Sequence, residues 1–340
     1  MISLKLTNVL LSLGGAAVVG GASAIGGNYL FKQVIERDDN VGASLDQPII
    51  KNHNNWAEYA PRIRENKRWL KKQDTELITV RTFDGLNLYG LYLPAKEKSN
   101  KLVICVHGFR SKGESEHSGT AKEYHSQGFN VMIVDDRAHG MSEGRYVGFG
   151  ILDSQDCRKW IDLGVKLVGR DAEIYLHGVS MGGATVLYTG AKINNRPLQP
   201  QVKGIIADCP FTSPWDVFSH VLNAGYKLPT FPVLNIASEI CKRKAGYTFS
   251  AKNNLDSINE IEVPVLFIHG DDDNFVPTWM SKEMFAARTK QKKILIVKGA
   301  GHGESFYADK ELYMNTIYDF IKVCEETNEQ SNKVTHLLNA

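Results

Sequence analysis

A serine flanked by glycines directly follows a predicted strand. The segment HGVSMGG, residues 177–183, comes after the apolar residues 174–176 and precedes the helix-like residues 184–192. Gly-x-Ser-x-Gly at a strand-to-helix turn is typical of a nucleophile elbow, because the glycines permit a tight, strained backbone that exposes the serine hydroxyl. The pattern predicts that Ser180 is a nucleophile. A glycine-rich turn that caps a helix is the alternative interpretation.

A serine hydroxyl is a poor nucleophile at neutral pH, so it needs a base to take its proton and a carboxylate to orient that base. Three aspartates, residues 271–273, follow a later predicted strand, and of the ten histidines only His302 lies in a glycine-rich loop after the last one. We predict that His302 is the base and that one of these aspartates orients it, with Asp208 as a further candidate. The other histidines, including His139 and His177, are predicted to be structural.

The hydrophobic pattern predicts the elements that must position these residues. Short apolar runs alternate with segments of helical length. The runs comprise residues 102–106, 131–134, 174–176, 202–207, 265–268 and 294–297. Such continuous hydrophobicity indicates strands covered on both faces, and helical spacers provide the crossovers of a parallel sheet. A hairpin that turns at Asp84 and Gly85 precedes them. We predict an α/β fold, a mostly parallel sheet with helices on both faces, whose loops bring the serine, aspartate and histidine together.

Composition and charge exclude several classes of protein. A chain of 340 residues that is 43% hydrophobic and 23% charged can bury a sizeable core, which argues against disorder, collagen and coiled coil. The formal charge of +2 provides no strong field for a nucleic acid. The five cysteines form no Cys-x-x-Cys pair and are predicted to be small buried residues. We predict no metal, because consecutive aspartate side chains point in different directions, and no other cofactor.

The amino-terminal segment differs from the rest of the chain. No residue from Leu6 to Phe31 is charged, and this run is long enough to cross a bilayer as a helix. We predict that residues 1–32 are a transmembrane anchor, which would make the membrane a partner. A secretory signal cleaved at the small residues 22–24 and a buried glycine-rich segment are the alternatives. The flanking basic residues nearly balance each other, so the side of the membrane that holds the domain stays open.

The remaining chain is predicted to hold one main domain with a lid. Residues 33–75 form a linker whose basic amphipathic piece, residues 62–72, either docks on the domain as a helix or rests on anionic headgroups. The domain spans residues 76–326. An aromatic, weakly charged spacer interrupts the alternation of strands and helices, and we predict that residues 211–260 are a lid over the carboxyl ends of the strands. Residues 327–340 are a polar tail that is expected to fray.

These motifs resemble those of the α/β-hydrolase superfamily over residues 80–323. Within it, the chain looks most similar to membrane-anchored bacterial serine hydrolases related to serine aminopeptidases and acyl-ester hydrolases. In that family the acid often lies in a His-Gly-x-x-Asp-x-x-Val-Pro segment, which residues 269–277 match. The resemblance therefore places the acid on Asp273, ahead of Asp271 and Asp272. It also implies an α/β-hydrolase fold with a small helical lid.

Two backbone N–H groups are predicted to stabilise the oxyanion that develops during acyl transfer. Met181, the residue after the nucleophile, provides one of them. The resemblance assigns the other to Phe109, the residue after His107 and Gly108. This loop lacks the His-Gly-Gly-Gly form found in part of the family, and the resemblance therefore argues against esters of bulky tertiary alcohols.

We expect the chain to hydrolyse carboxylic esters or related acyl bonds through an acyl-enzyme on Ser180, with His302 as the base and Asp273 as the acid. The apolar lid favours a small-molecule substrate with an acyl or aromatic group. A peptidase or an acyltransferase using the same three residues is the first alternative. A non-catalytic, membrane-anchored binding protein is the second, although such proteins usually lack one member of the triad.

Overall fold

Eight strands form one sheet in the computed structural model, which describes residues 23–38, 56–193 and 196–338. The strands are β1 (Glu76–Arg81), β2 (Asn87–Leu93), β3 (Lys101–Val106), β4 (Asn130–Val134), β5 (Glu173–Val179), β6 (Val202–Asp208), β7 (Val265–Gly270) and β8 (Lys292–Val297). Their order across the sheet is β1-β2-β4-β3-β5-β6-β7-β8. β1 and β2 form the predicted antiparallel hairpin, β2 runs antiparallel to β4, and all other neighbours are parallel. Each predicted apolar run is a strand of this sheet.

Helices cover both faces of the sheet. They are α1 (residues 23–34), α2 (Trp56–Leu70), α3 (Gly113–Ser126), α4 (Asp153–Val168), α5 (Met181–Gly190), α6 (Pro214–His220), α7 (Val233–Ala245), α8 (Asn254–Ser257), α9 (Trp279–Ala287), α10 (Ser305–Ala308) and α11 (Lys310–Leu338), with a π-helical turn at Val221–Gly225 and a 3-10 turn at Ile258–Glu260. α4, α5 and α9 contribute to the hydrophobic core on one face, and α2, α3 and α11 contribute to the core on the other.

The central strands supply side chains to both cores, because successive residues of a strand point to opposite faces. In β3, Leu102 and Ile104 belong to one core, whereas Val103 and Cys105 belong to the other. A strand covered on both faces needs an apolar residue at every position, which explains why the sequence shows continuous runs instead of alternation. The predicted α/β architecture, a mostly parallel sheet between two layers of helices, is confirmed.

The segment between β6 and β7 forms a helical cover in the region predicted to be a lid. α6 begins after Ser213, whose hydroxyl accepts a hydrogen bond from the backbone N–H of Asp216 (3.1 Å). α7 ends at Gly246, whose φ of 85° lies in the left-handed region that favours glycine. Buried residues of both helices form a third core together with Met181, at the carboxyl ends of the strands. The cover therefore lies directly above the predicted nucleophile.

Only the end of the predicted membrane anchor lies within the described residues. Residues 23–34 are helical, and Phe31 of this helix is fully buried in the third core. Residues 1–22 lie outside the described part of the chain. None of the described helices is both long and apolar enough to span a bilayer. The described end of the predicted anchor thus packs on the domain. A helix face that is buried against protein needs the same uncharged, apolar residues as a membrane span, which explains why this sequence favours an anchor.

The basic segment at residues 62–72 lies mainly in α2, which docks on the domain. Tyr59 and Leu70 are buried in the core on the α2 face of the sheet. The Arg62 guanidinium donates a hydrogen bond to the carbonyl oxygen of Tyr307 (2.7 Å). The structure therefore adopts the first of the two predicted arrangements for this segment, the docked helix.

Residues 327–338, which belong to the segment predicted to be a polar tail, are helical. α11 continues to Leu338 without interruption. The side chains of Thr327 and Asn328 hydrogen-bond to the carbonyl oxygens of Val323 and Cys324, one turn earlier (2.8 and 2.7 Å). These two polar side chains therefore bond within the helix, and the helical backbone continues beyond them.

Candidate active site

Ser180 lies on a strained turn between β5 and α5. Its φ of 56° falls in the left-handed region, which non-glycine residues rarely adopt. A Cβ atom at Gly178 would come within 2.1 Å of the carbonyl oxygen of Gly182, and one at Gly182 would come within 2.1 Å of the carbonyl oxygen of Val106. Both glycines are therefore required by close backbone contacts. The backbone N–H of Ser180 donates to the carbonyl oxygen of Asp208 (2.8 Å), which fixes the turn to the neighbouring strand.

The structure brings the predicted nucleophile, base and acid into one hydrogen-bonded chain. His302 Nε2 lies 2.8 Å from Ser180 Oγ, and His302 Nδ1 lies 2.7 Å from Asp273 Oδ2. Because an ionised carboxylate can only accept, Nδ1 carries the proton and Nε2 is left to accept the serine hydroxyl proton. This tautomer is the one that a general base needs. The three residues come from the loops after β5, β7 and β8.

Asp273 is buried and its carboxylate is fully occupied. Oδ1 accepts hydrogen bonds from the backbone N–H groups of Phe275 and Val276 (3.0 and 2.9 Å). Oδ2 faces His302, and His269 Nε2 also lies 3.2 Å from it. Burial acts to raise the pKa of Asp273, but the charge of His302 and the hydrogen bonds from both histidines outweigh it, so the pKa lies below its ordinary value. The acid is therefore ionised whenever the site works at neutral pH.

The other candidate acids bond elsewhere. Asp271 accepts from the backbone N–H of Gly299 (2.6 Å), and the exposed Asp272 accepts from the Asn274 side chain (3.3 Å). Asp208 accepts from the Tyr313 hydroxyl (2.9 Å). Of these four aspartates, all of them in the described part of the chain, Asp273 is the one that hydrogen-bonds to His302.

Carboxylates around His302 oppose the effect of its burial. Burial alone would lower the pKa of the imidazole, but the charge of Asp273 and its hydrogen bond raise it, and Glu116 and Asp208 add to that effect. The pKa of His302 consequently lies above its ordinary value of 6.5. A raised pKa makes the imidazole a stronger base toward the serine hydroxyl proton.

An apolar cavity of about 400 Å³, including its mouth, opens beside the serine. Both predicted oxyanion residues, Phe109 and Met181, line it together with Ser180. The remaining lining residues are Val34, Phe149, Phe211, Val217, Phe218, Val221, Phe275 and Val276. None of the described residues that line the cavity is charged. A lining of this kind suits an apolar group of a small molecule.

Glu116, on the first turn of α3, is a site residue that the sequence analysis missed. Its carboxylate accepts a hydrogen bond from the backbone N–H of Gly108, next to Phe109. Burial raises the pKa of Glu116 to about 7, although the bond from Gly108 and the charge of His302 oppose the shift. No motif marks this glutamate, because its role depends on how the β3–α3 loop folds back over α3.

Two sets of potential metal ligands lie close together among the described residues. One set is Cys105, His117 and His177, and the other is Cys209, Asp273 and His302. Both rings of the first set already bond to protein groups, since His177 lies between the hydroxyls of Tyr124 and Tyr313 and His117 Nε2 bonds to the carbonyl oxygen of Val106. In the second set, the aspartate and histidine bond to each other. The absence of a metal stays a prediction.

The histidines predicted to be structural also bond within the protein. His139 Nε2 accepts from the backbone N–H of Arg110 (3.1 Å), beside the Phe109 loop. His177 bridges the two tyrosines named above. All five cysteines are buried and free, as small apolar residues are expected to be.

Comparisons with known proteins agree with this architecture. A family model described as serine aminopeptidase S33 matches residues 97–254, and one described as TAP-like protein matches residues 234–330. The uncharacterized protein YqkD of Bacillus subtilis (strain 168) is 29% identical over 249 residues, covering 72% of this chain and 78% of that protein.

Two solved structures are similar at low identity. An esterase of Pyrococcus furiosus gives a TM-score of 0.60 at 21% identity and covers 74% of this chain and 91% of its own. An acylaminoacyl peptidase of Pyrococcus horikoshii gives a TM-score of 0.54 at 18% identity and covers 76% of this chain and 43% of its own. At such identities the structures establish the fold, and with the matching family models they indicate a hydrolase of the serine type. The chain adopts the α/β-hydrolase fold, and the family models that match it support a place in that superfamily.

Proposed function

We propose that this protein is a serine hydrolase that cleaves carboxylic esters or related acyl bonds through an acyl-enzyme on Ser180. One observation carries the proposal: the hydrogen-bonded chain of Ser180, His302 and Asp273 ends at the opening of an uncharged, apolar cavity. Ser180 lines this cavity, so its hydroxyl is available to a substrate that binds there.

The reaction has two halves. Ser180 Oγ attacks the carbonyl carbon while His302 Nε2 takes the hydroxyl proton, and a tetrahedral intermediate forms. The carbon–oxygen bond to the alcohol then breaks, and His302 returns the proton to the leaving oxygen. Water next attacks the acyl carbon and gives its proton to His302. The bond to Ser180 breaks, the serine recovers its proton, and the carboxylic acid leaves.

The backbone N–H groups of Phe109 and Met181 stabilise the oxyanion. Met181 is the first residue of α5, so its N–H has no carbonyl oxygen one turn earlier in the helix to bond to. It also lies at the positive end of the helix dipole. Glu116 holds the other donor loop through the N–H of Gly108. Rigid donors of this kind are worth about a hundred- to a thousandfold in rate each.

The lining of the cavity supports an acyl group as the substrate portion that lies beside Ser180. Its aromatic and aliphatic side chains gain by burying apolar surface, at about 25 cal/mol per Å². An aminopeptidase must also bind a charged amino terminus, for which a buried carboxylate is the usual partner. None of the described lining residues supplies one. This contrast favours esters over aminoacyl amides.

Labelling with a fluorophosphonate and a short substrate panel test the proposal. We expect wild-type protein and the exposed-serine control Ser250→Ala to react with the probe, and Ser180→Ala and His302→Ala to lose labelling and turnover while melting near the wild-type temperature. p-Nitrophenyl esters should be hydrolysed faster than an aminoacyl nitroanilide. Faster cleavage of the nitroanilide would support the peptidase alternative, and a folded protein that resists the probe would support the non-catalytic one.

We also propose that the residues before α1 anchor the protein to a membrane. The support is the run without charge from Leu6 onward, which is long and apolar in sequence. Full-length protein should sediment with membranes and resist extraction with carbonate, whereas a chain that starts at residue 23 should not. Equal extraction of the two chains would contradict this proposal without affecting the catalytic one.

A further inference from the structure

α1 packs against the helical cover of the active site. Phe31 and Ile35 are fully buried, in the same core as Leu234 and Ala237 of α7. A Cβ atom at Gly27 would come within 2.5 Å of the Ile236 side chain, so the two helices touch at this glycine. α1 and Ile35 therefore form an additional layer over the lid, and their buried residues belong to the third core.

The residues after α1 are fastened to the loop between β4 and α4. The backbone N–H of Val147 donates to the carbonyl oxygen of Ile35 (2.8 Å), and that of Arg37 donates to the carbonyl oxygen of Arg145 (2.9 Å). The Arg37 guanidinium also donates to the carbonyl oxygen of Ser142. We call residues 31–38 the N-terminal strap. These bonds fix its position relative to the sheet.

The strap also reaches the substrate cavity. The side chain of Val34 lines the cavity together with Ser180. One residue earlier, the carbonyl oxygen of Gln33 accepts a hydrogen bond from the guanidinium of Arg110, which directly follows the oxyanion residue Phe109. The strap thus contacts both the wall of the cavity and the loop that holds an oxyanion donor.

We infer that the N-terminal strap is a wall of the acyl site and that Val34 is a specificity-determining residue that limits the length of the acyl chain. This inference rests on the proposed function. Because the strap is held by backbone pairing to a loop that carries none of the triad residues, a larger side chain at position 34 fills the cavity without moving Ser180, His302 or Asp273. The substrate class is an ester of an apolar acid, whose acyl chain lies along the Val34 wall.

A series of n-alkyl fluorophosphonates, from methyl to dodecyl, measures chain-length preference in the full-length protein without assuming a particular leaving group. The measured quantity is the ratio of the inactivation rate constants of the dodecyl and methyl probes. We expect Val34→Trp to lower this ratio at least tenfold, since the discrimination of even one methylene can reach that size. Val34→Ala should raise it, and the exposed neighbour Lys32→Ala should leave it unchanged.

The outcomes separate the two claims. If wild-type protein reacts with the probes but the ratio is the same in both Val34 variants, the strap is not a specificity wall and the inference is wrong. If Val34→Trp fails to fold by thermal melting, Val34→Ala decides alone, since a smaller side chain leaves the packing of Phe31 and Ile35 intact. If folded wild-type protein reacts with none of the probes, the proposed function itself is wrong.

Discussion

Replacing Asp273 by asparagine should leave the protein folded and almost inactive. The orientation of the new amide follows from the structure. The backbone N–H groups of Phe275 and Val276 point at Oδ1, so the amide oxygen must take that position to accept from them. The amide NH₂ group then occupies the place of Oδ2, 2.7 Å from His302 Nδ1. Facing a donor, Nδ1 must accept, which moves the imidazole proton to Nε2.

A histidine protonated on Nε2 cannot take the proton of Ser180. Loss of the correct tautomer in a serine triad costs about 10⁴-fold in kcat, which is about 5 kcal/mol at 1.36 kcal/mol per factor of ten. We expect a loss of this order with a p-nitrophenyl ester, together with a lower melting temperature, because a hydrogen bond to a charged group contributes about 1.5–3 kcal/mol. Asp272→Asn, an exposed change in the same loop, is the matched control and should keep full activity.

A folded Asp273→Asn protein that retains more than a tenth of the wild-type kcat would refute this reasoning. If Asp208→Asn were the inactive variant in its place, the acid of the triad would be Asp208. Its present bond to the Tyr313 hydroxyl would then have to break in the working enzyme.

Three further predictions concern the base and the backbone around the serine. Asp273 outweighs the effect of burial and raises the pKa of His302 above 6.5. We therefore expect kcat/KM to fall as the pH drops, with a midpoint above 6.5. A midpoint below 6 in a pH–rate profile would contradict this. Glu116→Gln should move that midpoint to lower pH, because it removes a negative charge near His302. Glu116→Ala should in addition lower kcat about tenfold, because the backbone N–H of Gly108 loses its acceptor. Gly182→Ala should destabilise the fold by about 3 kcal/mol in urea titrations, since its Cβ would meet a backbone carbonyl oxygen at 2.1 Å; wild-type stability would show that the turn can relax.

The sheet and the triad could be predicted because each leaves a local signal. Continuous apolar runs mark strands that are covered on both faces, and the loops after such strands meet at one edge of a parallel sheet. The sequence alone therefore predicts Ser180 as the nucleophile and His302 as the base, and the structure places the two side chains within 2.8 Å of each other. The choice among the aspartates needed the family resemblance, because residues 271–273 are alike in type and only the backbone of the loop decides which carboxylate turns inward.

Glu116 and Val34 could not be predicted because their roles depend on contacts between distant parts of the chain. Glu116 is one of several charged residues at the start of a helix, and only the path of the β3–α3 loop brings Gly108 to it. Val34 lies two residues beyond the predicted anchor, in the segment predicted to be a linker, and nothing in its sequence indicates that it lines the cavity.

The placement of these residues suggests why chemistry and substrate choice can vary separately in this protein. Ser180, Asp273 and His302 stand on loops anchored by neighbouring strands, so their relative positions depend on the sheet. Part of the cavity wall comes instead from the lid and from the strap, whose buried residues belong to the third core. If the proposed function holds, we expect a substitution in the wall to change which acyl group fits while the 2.8 Å contact between His302 and Ser180 is preserved. Fold alone does not fix the substrate, and under this proposal several of the residues that select it lie in the lid and the strap, outside the sheet.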